Sequence, residues 1–233
     1  METIYQFGLK AGELSIPEKE VYRYLGYMGH TPAALDAQRI AEGIKKTEAV
    51  AMPKACYGLF DITVNAAEPG ADGLQEKRIL DGLSDEDGDA VSAGEVVMPY
   101  GKVYSKSLAA WIKGCTKAYI FAATVGAGVD RMIKTSAFRS MSEAAILQAC
   151  GAAAVEEFCN ILNRRLNEEA GQNGYEPVKR YSPGYGDLDL EENQKGVFAV
   201  LNPGRFIGLS LMDSCIMSPE KSVTAIIGLK EKQ

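Results

Sequence analysis

Histidine is almost missing from this chain. His30 is the only one in 233 residues, which sets aside Ser-His-Asp triads and histidine-based metal sites. Cysteine is sparse and has no pairing pattern: the five residues stand at 56, 115, 150, 159 and 215, with no C-x-x-C. Such usage reads as reduced, buried thiols in a cytoplasmic protein, not as a disulfide frame or a zinc site. Positive charge is short as well, 25 Lys and Arg against 31 Asp and Glu for a net charge of −6. Nucleic acid needs clustered cations to neutralise phosphates, so it is not an expected partner. Continuous apolar runs stay below membrane-spanning length, and the opening Met1-Glu2-Thr3-Ile4-Tyr5 lacks the basic-then-apolar order of a signal peptide. The expectation is a cytoplasmic chain that engages no membrane, with no catalytic imidazole and no metal site. Its 46% hydrophobic content is enough for a core.

What the chain does contain is a succession of short helix and strand signals. Pro17-Glu18-Lys19-Glu20 marks a helix start, followed by the aromatic run 21–27, whose tyrosines read as core edge or subunit contact. Thr31-Pro32 offers a hydroxyl cap and a first-turn proline to a helix patterned by Leu35, Ile40 and Ile44. Residues 1–50 are thus expected to be mainly helical. Residues 56–64 have strand composition, and a further short segment comes at Arg78-Ile79-Leu80. The acidic, glycine-rich stretch 81–89 lacks the glutamate that would complete a calcium loop and reads as an exposed loop. Ser105 or Ser107 caps a short helix closed by Gly114, and 117–125 is the strongest strand, apolar throughout and so central in a sheet.

That strand runs into Gly126-Ala127-Gly128 and a helix, but Arg131 stands where a dinucleotide fingerprint has its third glycine. A tight strand-to-helix turn accounts for both glycines. The longest helix follows over about 142–170, with a small-residue patch at 151–154 and the mid-helix pair Glu156-Glu157. A polar helix start at 189–194, a turn at Asn202-Pro203-Gly204, and strands at 206–212 and 223–229 complete the chain. The fold class expected over residues 1–233 is one α+β domain, a mainly antiparallel, twisted sheet flanked by helices.

One stretch concentrates polar chemistry: Arg180-Tyr181-Ser182-Pro183-Gly184-Tyr185-Gly186-Asp187. Pro183 fixes its own φ and biases Ser182 toward extended backbone, while Gly184 and Gly186 permit positive φ and close approach of a ligand. Arg180 is available to an anionic group. By itself the stretch reads first as a Ser-Pro-Gly turn carrying a surface tyrosine, because Pro and Gly mostly punctuate turns.

Three blocks in order resemble the activation domain of vitamin B12-dependent methionine synthase, especially its free-standing versions. They are Ala122-Ala-Thr-Val-Gly-Ala-Gly-Val-Asp-Arg131 leading to Val155-Glu156-Glu157-Phe158, then Arg180-x-x-x-Gly184-Tyr185, then residues 207–224 with Met217-Ser-Pro219 and Ser222-Val223. Together they span about residues 100–229. The region of Tyr24-Leu-Gly-Tyr27 also looks like the start of free-standing members.

The resemblance implies a site for S-adenosylmethionine formed by Arg180, Ser182, Gly184, Tyr185 and Glu156. It implies an accessory role, in which cob(II)alamin on a separate methionine synthase or other corrinoid protein is reduced by a flavodoxin-like donor and methylated from this ligand. No side chain is then required as acid or base, so no catalytic residue is assigned. Gly186 replaces the family's proline, the family's further tyrosine lies past a point matching Gln233, and its N-terminal acidic contact has no counterpart. Two other readings stay open: a scaffold of the same fold without ligand, and a small-molecule methyltransferase, the latter opposed by the incomplete glycine loop at Gly126 and Gly128.

Overall fold

The computed structural model describes residues 3–10, 12–27, 29–65 and 94–232. The sheet is built outward from β6 (Lys117–Thr124), of which seven of eight residues are buried. Alternate side chains of β6 leave it on opposite sides. Tyr119, Phe121 and Ala123 enter one hydrophobic cluster, and Ala118, Ile120 and Ala122 enter another. The continuous apolar run is therefore the signature of a strand covered on both faces. β6 pairs antiparallel with β2 (Lys54–Asp61) on one side and β10 (Ser222–Glu231) on the other. With β1 (Tyr5–Gly8) and β7 (Tyr175–Pro177) at the edges, the five-stranded order is β1-β2-β6-β10-β7.

Helices cover both faces. α1 (Glu18–Tyr24), α2 (Ala34–Val50), α4 (Ala127–Ala137) and α5 (Met141–Gln172) pack on one side through Val21, Ile40, Val129, Leu147 and Phe158. α3 (Lys106–Trp111), α6 (Leu190–Leu201) and α7 (Pro203–Ile207) pack on the other through Leu108, Val197 and Ile207. That second layer also takes in β4 (Glu95–Met98) and β5 (Gly101–Tyr104), which with β3 (Thr63–Asn65) form a three-stranded sheet. By length and composition α5 is apolar enough to cross a membrane, yet 56% of its apolar window is buried inside the protein. Its stripe is used against the sheet, and Gly151 lets neighbours close in: a Cβ there would lie 3.1 Å from both Lys221 Cε and Val129 Cγ1.

The expected α+β class and antiparallel sheet are what the chain forms. A dinucleotide-binding arrangement needs a parallel sheet, and here β6 has antiparallel neighbours only. Gly126 (φ +88°) turns the chain, and a Cβ on Gly128 would stand 2.7 Å from the Val50 carbonyl oxygen. The glycines therefore serve a turn and a backbone contact.

Some expectations differ in detail. Residues 3–10 contribute an edge strand to the otherwise helical N-terminal part, and α2 begins at Ala34, past Thr31-Pro32, with Ala33 at its cap. The strand expected over 206–212 shrinks to β8 (Ser210–Leu211), paired with β9 (Met217–Ser218). Asn202 adopts a left-handed conformation (φ 49°), and Pro203 at the first helical position restarts a helix in α7. Ile207, at the end of α7, and Leu209, between α7 and β8, are still buried, so the apolar signal is real while strand geometry is confined to Ser210–Leu211. The segments at 78–80 and 81–89 lie outside the described residues.

Candidate functional site

The site is assembled at the edge of the sheet. β7 pairs with the end of β10, and the chain stays extended beyond it: Val178 N–H donates to Gly228 O (2.9 Å), and Tyr181 and Ile226 exchange both backbone hydrogen bonds (2.8 Å each). In extended backbone, adjacent side chains point to opposite faces. Tyr181 accordingly enters the cluster beneath α3 and α6, while Arg180 reaches the opposite face and meets α5.

On α5, Glu156 and Asn160 stand four residues apart on one face. Arg180 donates from Nη2 to Glu156 Oε1 and from Nη1 to Asn160 Oδ1, the latter at 2.9 Å. The ion pair is partly open to solvent, with side chains 21% and 34% exposed. Glu157 turns elsewhere, accepting from Asn160 Nδ2 and from Arg164 Nη2, each at 3.3 Å. Beside the pair, burial pushes the Cys159 thiol up to about 12, so it is an inert neighbour.

The loop after Tyr181 is closed by its own backbone. Tyr185 N–H donates to Ser182 O (3.2 Å), Gly184 N–H to Leu188 O (3.0 Å) and Leu188 N–H to Tyr185 O (3.0 Å). Gly184 (φ +88°) and Gly186 (φ +55°) take left-handed backbone. At Gly186 a Cβ would also lie 2.4 Å from Ser107 Oγ, so the loop touches α3 too closely for any side chain. Tyr185 is left 63% exposed, its ring edge-on to Tyr181 at 6.1 Å between centroids.

Asp187 latches the loop to the start of α3. Its carboxylate accepts from Ser105 Oγ (2.6 Å), Lys106 N–H (2.8 Å), Ser107 N–H (3.1 Å) and Ser107 Oγ. Burial alone would raise this carboxyl, but the donors from Ser105, Ser107 and the helix backbone outweigh it and hold the group below its ordinary value. The Tyr181 hydroxyl completes the latch, 2.8 Å from Ser107 Oγ and 3.0 Å from the Tyr185 carbonyl oxygen. Trp111 adds a hydrogen bond from Nε1 to Lys179 O (2.7 Å) and a tilted ring contact with Tyr181 at 5.8 Å.

Of the residues singled out from sequence, Glu156 and Arg180 are in direct contact. Ser182 and Gly184 shape the loop through backbone groups, and Tyr185 stands at its exposed rim. Asn160, Asp187 and Ser107 were not assigned to the site from the sequence, although Asp187 ends the same polar stretch and Ser107 was a candidate helix cap. Asn160 was findable from its i+4 spacing to Glu156. Asp187 and Ser107 are 80 residues apart, and nothing local in the sequence links them.

No protein-family profile and no curated protein matches the sequence. Among solved structures, the α+β fold described above has a match over nearly the whole chain. It is similar to the crystal structure of the MetH reactivation domain bound to AdoHcy, at a TM-score of 0.60 and 14% identity, over 97% of this chain and 78% of that one. The chain thus has the fold of that reactivation domain.

Proposed function

We propose that this chain binds S-adenosylmethionine at the 180–187 loop and presents its methyl group to a cobalt centre on a separate corrinoid protein. One observation carries the reading: Arg180 and Glu156 meet beside a glycine-permitted loop, in a chain that shares the fold of a domain solved with AdoHcy. The pair suits the amino-acid end of such a ligand. Its carboxylate is a partner for the guanidinium and its ammonium a partner for Glu156, so one like-for-like exchange of ion pairs replaces the internal contact. The exposed Tyr185 ring offers a face to a sulfonium. Ser182 and Gly184 lie along the same loop, and the Ser182 carbonyl oxygen, which accepts one hydrogen bond from Tyr185 N–H, keeps a second lone pair for a ligand.

The chain's own contribution is positioning. Arg180 and Glu156 fix the amino-acid end, and the Asp187 latch fixes the loop that carries Tyr185. Neither has to move a proton. Cobalamin, carried by the partner, supplies the reducible metal that accepts the methyl group, with the electron coming from a flavodoxin-like donor. A B12-dependent methionine synthase or another corrinoid protein is the partner, and the cytoplasm is the compartment where such partners and reduced thiols coexist. Residues 1–233 act as one unit in this role.

Titration calorimetry with S-adenosylmethionine and S-adenosylhomocysteine tests the reading. Binding is expected for the wild type, and Arg180→Ala should weaken it by about two orders of magnitude, the value of a charge-assisted bidentate contact. A wild-type protein that takes up neither ligand, alone or with a corrinoid partner, sinks it.

A further inference from the structure

We propose that Asn160 is a positioning residue that holds Arg180 in place without neutralising it, which makes the site selective for ligands carrying a free amino-acid carboxylate. The inference rests on the reading of the 180–187 loop given above. Arg180 has two anchors on α5, and they differ in charge. Glu156 satisfies Nη2 and cancels the cation, whereas Asn160 satisfies Nη1 at 2.9 Å with a neutral amide oxygen.

The orientation of that amide is dictated by its neighbours. Arginine can only donate and a carboxylate can only accept. With Arg180 on one side and Glu157 Oε2 at 3.3 Å on the other, the oxygen of Asn160 must face Arg180 and its nitrogen must face Glu157. Glu157 is itself held by Arg164. The chain Arg164–Glu157–Asn160–Arg180 therefore sets the guanidinium plane from the helix side. When Glu156 turns to a ligand ammonium, Asn160 keeps the guanidinium from swinging into solvent, and its full charge and remaining N–H groups face the carboxylate. A carboxylate at position 160 would hold the arginine equally well and defeat the purpose, because the cation would stay neutralised.

The test compares S-adenosylhomocysteine with 5′-methylthioadenosine, which keeps the adenosyl group and lacks the amino-acid end. Asn160→Ala is expected to weaken S-adenosylhomocysteine on the order of ten-fold and Asn160→Asp by more, with 5′-methylthioadenosine changed by less than about two-fold in each. Glu157→Gln, which weakens the contact that orients the Asn160 amide but leaves its bond to Arg180, should give a smaller loss with the same ligand selectivity and an unchanged melting temperature. Equal losses on both ligands would mean that Asn160 merely supports the fold, and unchanged S-adenosylhomocysteine binding would mean that Arg180 needs no second anchor; either overturns the inference while leaving the proposed ligand intact. A wild type that binds neither compound instead overturns the proposed function, and this inference with it.

Discussion

At Asp187 one carboxylate gathers four donors, two hydroxyls and two backbone N–H groups, across the join between the 180–187 loop and α3. Its folded pKa lies below the ordinary 3.8. The stabilisation from a depressed carboxyl is complete above its unfolded value and is lost as the pH falls through the folded one. Asp187→Asn is expected to cost about 1 kcal/mol near neutrality, a figure reduced for the group's solvent access. The difference in melting temperature between wild type and variant should shrink as the pH is lowered beneath the ordinary carboxyl value and on through the depressed folded one. A gap of constant size across that range would show that the charge of Asp187 is not what holds the loop. At this scale the sequence was informative where a motif gathers its members locally, as in Arg180 to Tyr185. Ser107 was legible only as a candidate helix cap, and its contact with Asp187 is made across 80 residues.

For whole elements, the informative contrast is between glycines that must be glycine and those that need not be. In α4, a Cβ on Gly128 would lie 2.7 Å from the backbone oxygen of Val50, at the end of α2. Backbone cannot rotate away, so Gly128→Ala should cost roughly 1–3 kcal/mol, read as a lower urea midpoint with an unchanged slope. Gly204 in α7 has its nearest atom at 3.8 Å and no positive φ, so Gly204→Ala should be neutral or slightly stabilising. The long elements were legible because their patterns are long: β6 and α5 each bury a continuous face. Residues 206–212 misled because Ile207 and Leu209 are as buried as strand residues, while the left-handed Asn202 that restarts a helix leaves no mark on hydrophobic pattern.

Over the whole molecule, two apolar clusters share one sheet, and four of the five cysteines are buried within those layers. Burial pushes the Cys56 and Cys150 thiols up to about 12 and Cys115 to about 11. Thiolate is the reactive form, so the native protein should consume one equivalent of Ellman's reagent at Cys215, which is half-buried, and the unfolded protein five. Fast reaction of more than one thiol under native conditions would mean that one of the layers opens readily. The α+β class was readable from the same two-sided burial, since β6 has to be covered on both faces to be so uniformly apolar. The site needed more than pattern, because its two halves sit on α5 and on the edge segment beside β10.

The central placement of β10 also sets an order of events during synthesis. Arg180, Tyr181 and Tyr185 are translated well before Ser222–Glu231, yet Tyr181 is held in line by Ile226, and β7 has β10 as its neighbour in the sheet. A nascent chain halted before Ser222 carries every residue of the loop with no strand to fix them, and joining such distant segments is slow. A half-made chain therefore lacks the extended alignment at Tyr181, which arrives only with the strand that flanks it.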